Sequence, residues 1–274
     1  MKLFTFGDSW TAGVGCNLKV ENTIKDSEEL GMYRNSMSWP KYLSNLLNVE
    51  FLNLGEQGSS NKEIFDKIIT TIKSKIISEN DLVIIMWSSS LRDDVPFFPN
   101  GESSMWGILR TGPKWKFNWF VKNSLKNTTG DSQYNNFIKS YKEFFINNLY
   151  DDNYYNIVNQ NYILFIQKLL ESYNINYIFC DAFDCMINKN IISELDKTHF
   201  INKSNYYKFG EVTFRDFLIS LDSKDINLWE ESIKWPNAIK HPNAIGYQKI
   251  SNELFDFIIK SNIIKNNKSI LKIL

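Results

Sequence analysis

The chain has 274 residues, 43% hydrophobic and 15% aromatic, enough for one large α/β domain with a substantial core. Its 31 basic and 31 acidic residues cancel and are scattered rather than striped, which argues against a nucleic-acid partner. No apolar run is long enough to span a bilayer, and the amino terminus lacks the apolar segment and small-residue cleavage site of a secretory signal, so the expected location is cytoplasmic, or host cytoplasm or virion for a phage-encoded chain.

Residues 2–6 read as a buried strand that stops at Gly7, with Asp8 and Ser9 on the turn that follows. Open α/β folds place their chemistry at the carboxyl ends of strands, so Ser9 is a candidate nucleophile. An ordinary Gly-Asp-Ser turn is the alternative. Residues 16–37 read as a polar loop, and Ser38-Trp39-Pro40 then opens a helix with Ser38 as N-cap and Tyr42, Leu43, Leu46 and Leu47 on its apolar face. Residues 50–54 form a second strand, followed by the turn Gly55-Glu56-Gln57-Gly58-Ser59-Ser60-Asn61 and a helix with Ile64, Ile68, Ile72 and Ile76 at helical spacing. Residues 81–87 are a third strand, apolar enough to be covered on both faces. Strands alternating with helices imply parallel pairing.

Regularity lapses over about 88–132, an insertion rich in Phe97, Phe98, Trp106, Trp115, Phe117, Trp119 and Phe120. These rings could form a substrate face that stacks on sugars or an aromatic mini-core, and Trp115 and Trp119, at helical spacing, favour packing. Helical patterning returns over 134–149 and 154–173, a fourth strand over 175–180, a second irregular stretch over about 182–210, and helices over 212–221 and 244–260. The tail after Ser261 has no clear assignment. With no internal repeat or linker, residues 1–274 read as a single domain. Cys16, Cys180 and Cys185 are an odd set without metal-like pairing and read as core thiols; no metal or organic cofactor is required.

A serine nucleophile needs a base, and only His199 and His241 exist. His241 precedes Pro242 and the last helix, and a loop there can reach back over the sheet edge. Three segments, Gly7-Asp8-Ser9, the Asn53 to Gly58 turn and His241-Pro-Asn-Ala-Ile-Gly246, resemble in order and spacing the SGNH/GDSL hydrolases. The resemblance implies an α/β fold, a three-layer α/β/α sandwich around a central parallel sheet of flavodoxin-like type, with the aromatic insertion after the third strand. It implies an esterase or acyl hydrolase with Ser9 as nucleophile and His241 as base. The oxyanion hole would be built from the N–H groups of Ser9 and Gly58 and a side chain of the third block.

That block departs from the family's Gly-x-Asn-Asp. Aligned from the strand, Ser90 stands where the asparagine belongs, with Ser89 and Arg92 as alternatives; the Trp-Ser-Ser-Ser-Leu-Arg run resembles a variant block of phage and environmental GDSL-like proteins. The family's aspartate three residues before the histidine is Ala238 here, Asn237 is off register, and Asp181 or Asp184 could approach from another loop. Asp196-Lys-Thr-His199 has the Asp-x-x-His spacing but lacks the following Pro and Gly. Asp8, Asn61 and Arg92 are possible supporting residues, Asp8 as a hydrogen-bonding partner of the turn. The expected partner is a small-molecule or glycan ester, such as an O-acetylated glycan; the rival reading is a GDSL-like binding or structural protein with decayed catalysis. The spatial criterion for a dyad is a Ser9 Oγ to His241 ring nitrogen separation within about 4 Å.

Overall fold

The computed structural model describes residues 1–89, 92–97, 105–110, 118–121, 152–187, 197–222, 227–229 and 241–264. Four strands form one sheet: β1 (Lys2–Phe6), β2 (Glu50–Asn53), β3 (Leu82–Trp87) and β7 (Asn176–Asp181). Their order is β2-β1-β3-β7 and every pairing is parallel. This is the flavodoxin-like doubly wound order, whose switch point lies between the first and third strands.

Period-two alternation distributes the strand residues between two apolar clusters. Leu3, Leu82, Ile84, Met86 and Ile178 pack with helices α3 (Trp39–Leu47), α6 (Phe214–Asp222) and α7 (Ala244–Ser261). Phe4, Phe6, Val83, Ile85, Trp87 and Phe179 pack with α4 (Asn61–Lys73) and α5 (Asp152–Ser172). The result is a three-layer α/β/α sandwich. β3 is buried along its whole length because it is covered on both faces. Each apolar side chain so buried contributes about 1.5–3 kcal/mol.

Residues 16–37 are not a simple loop. They contain α1 (Leu18–Glu21) and α2 (Ser27–Ser36), capped by Asn17, which accepts from Val20 N, and by Asp26, which accepts from Glu28 N and Glu29 N. No residue of α2 is buried, so it carries no apolar stripe for periodicity to detect. Ser38 stands at the N-cap position of α3, but its Oγ donates back to Asn35 O at 2.8 Å and does not cap the helix. Ile76 lies beyond the end of α4 and is exposed.

The stretch after β3 also holds regular structure. The backbones of β4 (Arg92–Phe97), β5 (Met105–Arg110) and β6 (Asn118–Val121) form an antiparallel sheet in the order β4-β5-β6. Trp119 is therefore on a strand. Two aspartates and Pro96 hide β4 from a propensity reading; Pro96 is tolerated because β4 is an edge strand. The helix expected over 134–149, the tail from 265, and Phe98, Trp115 and Phe117 lie outside the described residues. No helix among the described residues is long and apolar enough to cross a membrane.

Candidate active site

Parallel pairing brings the exits of β1, β3 and β7 to one edge of the sheet. Ser9 leaves β1 on a turn closed by Ala12 N to Asp8 O at 2.9 Å and Val14 N to Ser9 O at 3.0 Å. Asp8 is fully buried and organises this turn: its Oδ1 accepts from Trp10 N at 3.0 Å and its Oδ2 from Ser88 Oγ at 3.0 Å. The second bond crosses the switch point and ties the β1 exit to the β3 exit.

His241 arrives from the other end of the chain. Asn243 caps α7, its Oδ1 accepting from Gly246 N at 3.0 Å, which fixes where the helix begins and leaves His241 on the loop just before it. Pro242 bridges to Trp229, and Asn243 N donates to Leu228 O at 3.0 Å. In this setting His241 Nε2 lies 3.0 Å from Ser9 Oγ, across 232 residues of sequence. For the serine hydroxyl to donate, Nε2 must be the unprotonated ring nitrogen.

The turn after β2 lies against the serine turn. Glu56 N donates to Gly7 O at 3.0 Å, and a Cβ at Gly55 would stand 2.7 Å from Ala12 N. Gly58 follows with φ +85°, a conformation that glycine adopts without strain. Among the described residues the N–H groups of Ser9 and Gly58 donate to no other protein group.

No family model matches the chain, and no curated protein does. The solved structures similar to it include two lipolytic proteins of the G-D-S-L family and an acetyl xylan esterase. One, of the lipolytic G-D-S-L family from Desulfitobacterium hafniense DCB-2, is 13% identical with a TM-score of 0.40, covering 93% of this chain and 98% of its own. Another of that family, from Veillonella parvula DSM 2008, is 14% identical with a TM-score of 0.45, covering 93% and 97%. The acetyl xylan esterase AlAXEase is 15% identical with a TM-score of 0.38, covering 93% and 98%. At these identities and TM-scores none of them transfers a residue role.

The remaining candidates fall in several places. Asn61, the first residue of α4, clamps the β3 exit: its Oδ1 accepts from Ser88 N at 2.8 Å and its Nδ2 donates to Ser89 O at 3.1 Å. Ser89 Oγ donates to Asp184 Oδ2 at 2.7 Å, so its hydroxyl proton is already engaged. Asp181 is buried, and its Oδ1 accepts from Tyr206 O–H at 2.7 Å. Burial raises its carboxyl to about 7, against the lowering effect of the Tyr206 and Met186 hydrogen bonds. Asp181 thus serves Tyr206, and Asp184 serves Ser89. Ser90, Asp196, Asn237 and Ala238 lie outside the described residues, and Arg92 is described only as the first residue of β4.

His199 is exposed on a short 3₁₀ turn (Thr198–Phe200), its ring 3.9 Å from that of Phe200, beside Gln167 of α5, which bonds the Phe200 carbonyl. Cys16, Cys180 and Cys185 form no disulfide. Cys16 and Cys180 are buried; burial, then the Glu21 charge, push the Cys16 thiol up to about 12, which keeps it protonated and unreactive. Among the described residues no three His, Cys, Asp or Glu side chains gather to hold a metal ion.

One contributor was missed in the sequence. Glu21 is a buried carboxylate under the loop that seats His241, paired with Arg34 at 2.8 Å. The signal was present as Asn17 and Asp26, two N-cap residues inside a stretch otherwise read as loop.

Proposed function

We propose that this chain is a serine ester hydrolase working through Ser9 and His241. The supporting observation is the 3.0 Å separation of Ser9 Oγ and His241 Nε2 at the carboxyl edge of a flavodoxin-like sheet. Ser9 Oγ attacks the ester carbonyl as its proton passes to His241 Nε2. The tetrahedral oxyanion is received by the N–H groups of Ser9 and Gly58, with Ser90 as a third donor. Collapse expels the alcohol, which takes the proton from His241, and an acyl group remains on Ser9. Water activated by the same imidazole then releases the acid and restores the serine. The substrate class is a small acyl ester, including acetyl groups on a glycan. Residues 1–274 act as a single domain in this reading, and no cofactor enters any step.

A second reading, a catalytically silent binding protein on the same fold, has its own support. Asp181 and Asp184 are bonded elsewhere, and the position three before His241 is alanine. Hydrolysis of p-nitrophenyl acetate separates the two. The esterase reading expects turnover in the wild type that disappears in Ser9→Ala; equal background rates in both proteins would leave the silent reading standing.

A further inference from the structure

The histidine-bearing loop is held from the side by the loop that follows the serine turn. Cys16 O accepts from Ala244 N at 3.1 Å, and Val14 O accepts from the Tyr247 hydroxyl at 2.7 Å. Gly15, at φ +84°, lies against His241 so closely that a Cβ there would overlap the histidine Cβ. The same loop holds the serine, because Val14 N donates to Ser9 O. Residues 14–16 thus touch both members of the pair.

What fixes that loop is one buried carboxylate oxygen. Glu21 Oε1 accepts from Gly15 N at 2.8 Å, Cys16 Sγ at 3.4 Å and Asn17 N at 3.4 Å. Its other oxygen is held by Arg34 Nε at 2.8 Å, with the two side chains only 2% and 20% exposed, so both charges depend on the pairing. Arg34 Nη1 continues to Gln57 Oε1 at 3.3 Å, and Gln57 immediately precedes Gly58. One ion pair therefore links the loop under His241 to the turn that carries the second oxyanion amide.

We infer that Glu21 and Arg34 are positioning residues for the Ser9–His241 pair, setting the distance and direction of the base. The inference rests on the esterase reading above. Glu21 touches no reacting atom; it acts through Gly15, Cys16 and Asn17. Its charge matters because three donors converge on one oxygen, and a charged acceptor binds them more strongly than an amide. Loosening this loop moves the base relative to the nucleophile, and a shift near 1 Å is enough to slow the chemical step about 10²-fold.

The test uses Glu21→Gln in the full chain, with Lys168→Met, at an exposed ion pair, as the charge-removal control. Expected for Glu21→Gln is a kcat lower by about 10²-fold at a KM within about twofold of wild type, with every folded site still counted by burst titration. Glu21→Asp, which keeps the charge on a shorter stem, recovers part of that loss. The ring NMR signals of the two histidines, assigned with His199→Gln, add a second readout: the His241 signal moves in Glu21→Gln and the His199 signal does not. A merely structural Glu21 would lower thermal stability and the count of active sites while leaving turnover per site and the His241 signal at wild-type values; that result overturns the inference. Should Glu21→Gln fail to fold, Arg34→Lys keeps a cation for Glu21 but cannot also reach Gln57, and an unchanged kcat and His241 signal there would overturn the inference equally. If the wild type has no esterase activity above Ser9→Ala, the functional reading fails by itself, while the His241 signal still decides whether Glu21 positions that ring.

Discussion

The exits of β1 and β7 lie on the same edge of the sheet and both carry a buried aspartate, yet they are built to different ends. At the β1 exit Asp8 accepts from Trp10 N and Ser88 Oγ and fixes a turn whose next residue, Ser9, faces an imidazole. At the β7 exit Asp181 is paired with the Tyr206 hydroxyl and raised to about 7 by burial, while Asp184 holds Ser89 Oγ. The strand order brings both aspartate sets near the switch point; hydrogen-bond partners decide what each can do. At the β7 exit each carboxylate is already bonded to a tyrosine or serine hydroxyl.

The sharpest way to break this contrast is to remove the reacting groups. His241→Gln is expected to reduce ester turnover by up to about 10⁴-fold, the upper end of what general acid–base catalysis contributes. Asp184→Asn, at the β7 exit, should cost far less in the same assay. Next in size is Gly15→Ala, where the new methyl must displace His241 and the backbone must hold φ +84° with a side chain; kcat should fall about 10²-fold. A smaller effect appears in stability against pH. Asp181 keeps its proton in the folded chain up to about 7, whereas its ordinary value is 3.8. Its contribution is fully present below 3.8, declines by at most about 1.4 kcal/mol per pH unit as pH rises toward 7, and is flat above that. Thermal melts of Asp181→Asn should show a weaker decline between pH 5 and 7 than the wild type; an equal decline would assign the proton elsewhere. The smallest effect belongs to His199→Gln, whose exposed ring touches Phe200 and not the site, with turnover expected within about twofold of wild type.

The core was legible because burial on both faces leaves continuous apolar runs. Leu82–Trp87 could hardly be anything but a central strand, and α4, with Ile64, Ile68 and Ile72 inward, carries a strong stripe. The capping of α7 by Asn243 explains why a His-Pro-Asn segment places a histidine at the sheet edge. What stayed hidden had weak or misleading local signals. α2 buries nothing, so its helical phase left no trace. β4 begins Arg-Asp-Asp and contains a proline, so it does not read as strand. Glu21 looked like any surface acid, because its partners are backbone groups of residues 15 and 17, a thiol and an arginine 13 residues away. Asp181 and Asp184 were reasonable acid candidates by strand order, and only their pairing with Tyr206 and Ser89 shows where they point.

The central claim is that Ser9 is a nucleophile activated by His241. Treating the intact chain with a fluorophosphonate and mapping the adduct by peptide mass spectrometry tests it most directly. The account predicts one phosphonyl group, on Ser9, formed readily in the wild type and greatly slowed in His241→Gln. No adduct under conditions where a control esterase reacts, or an adduct on another residue with Ser9 unmodified, would contradict it.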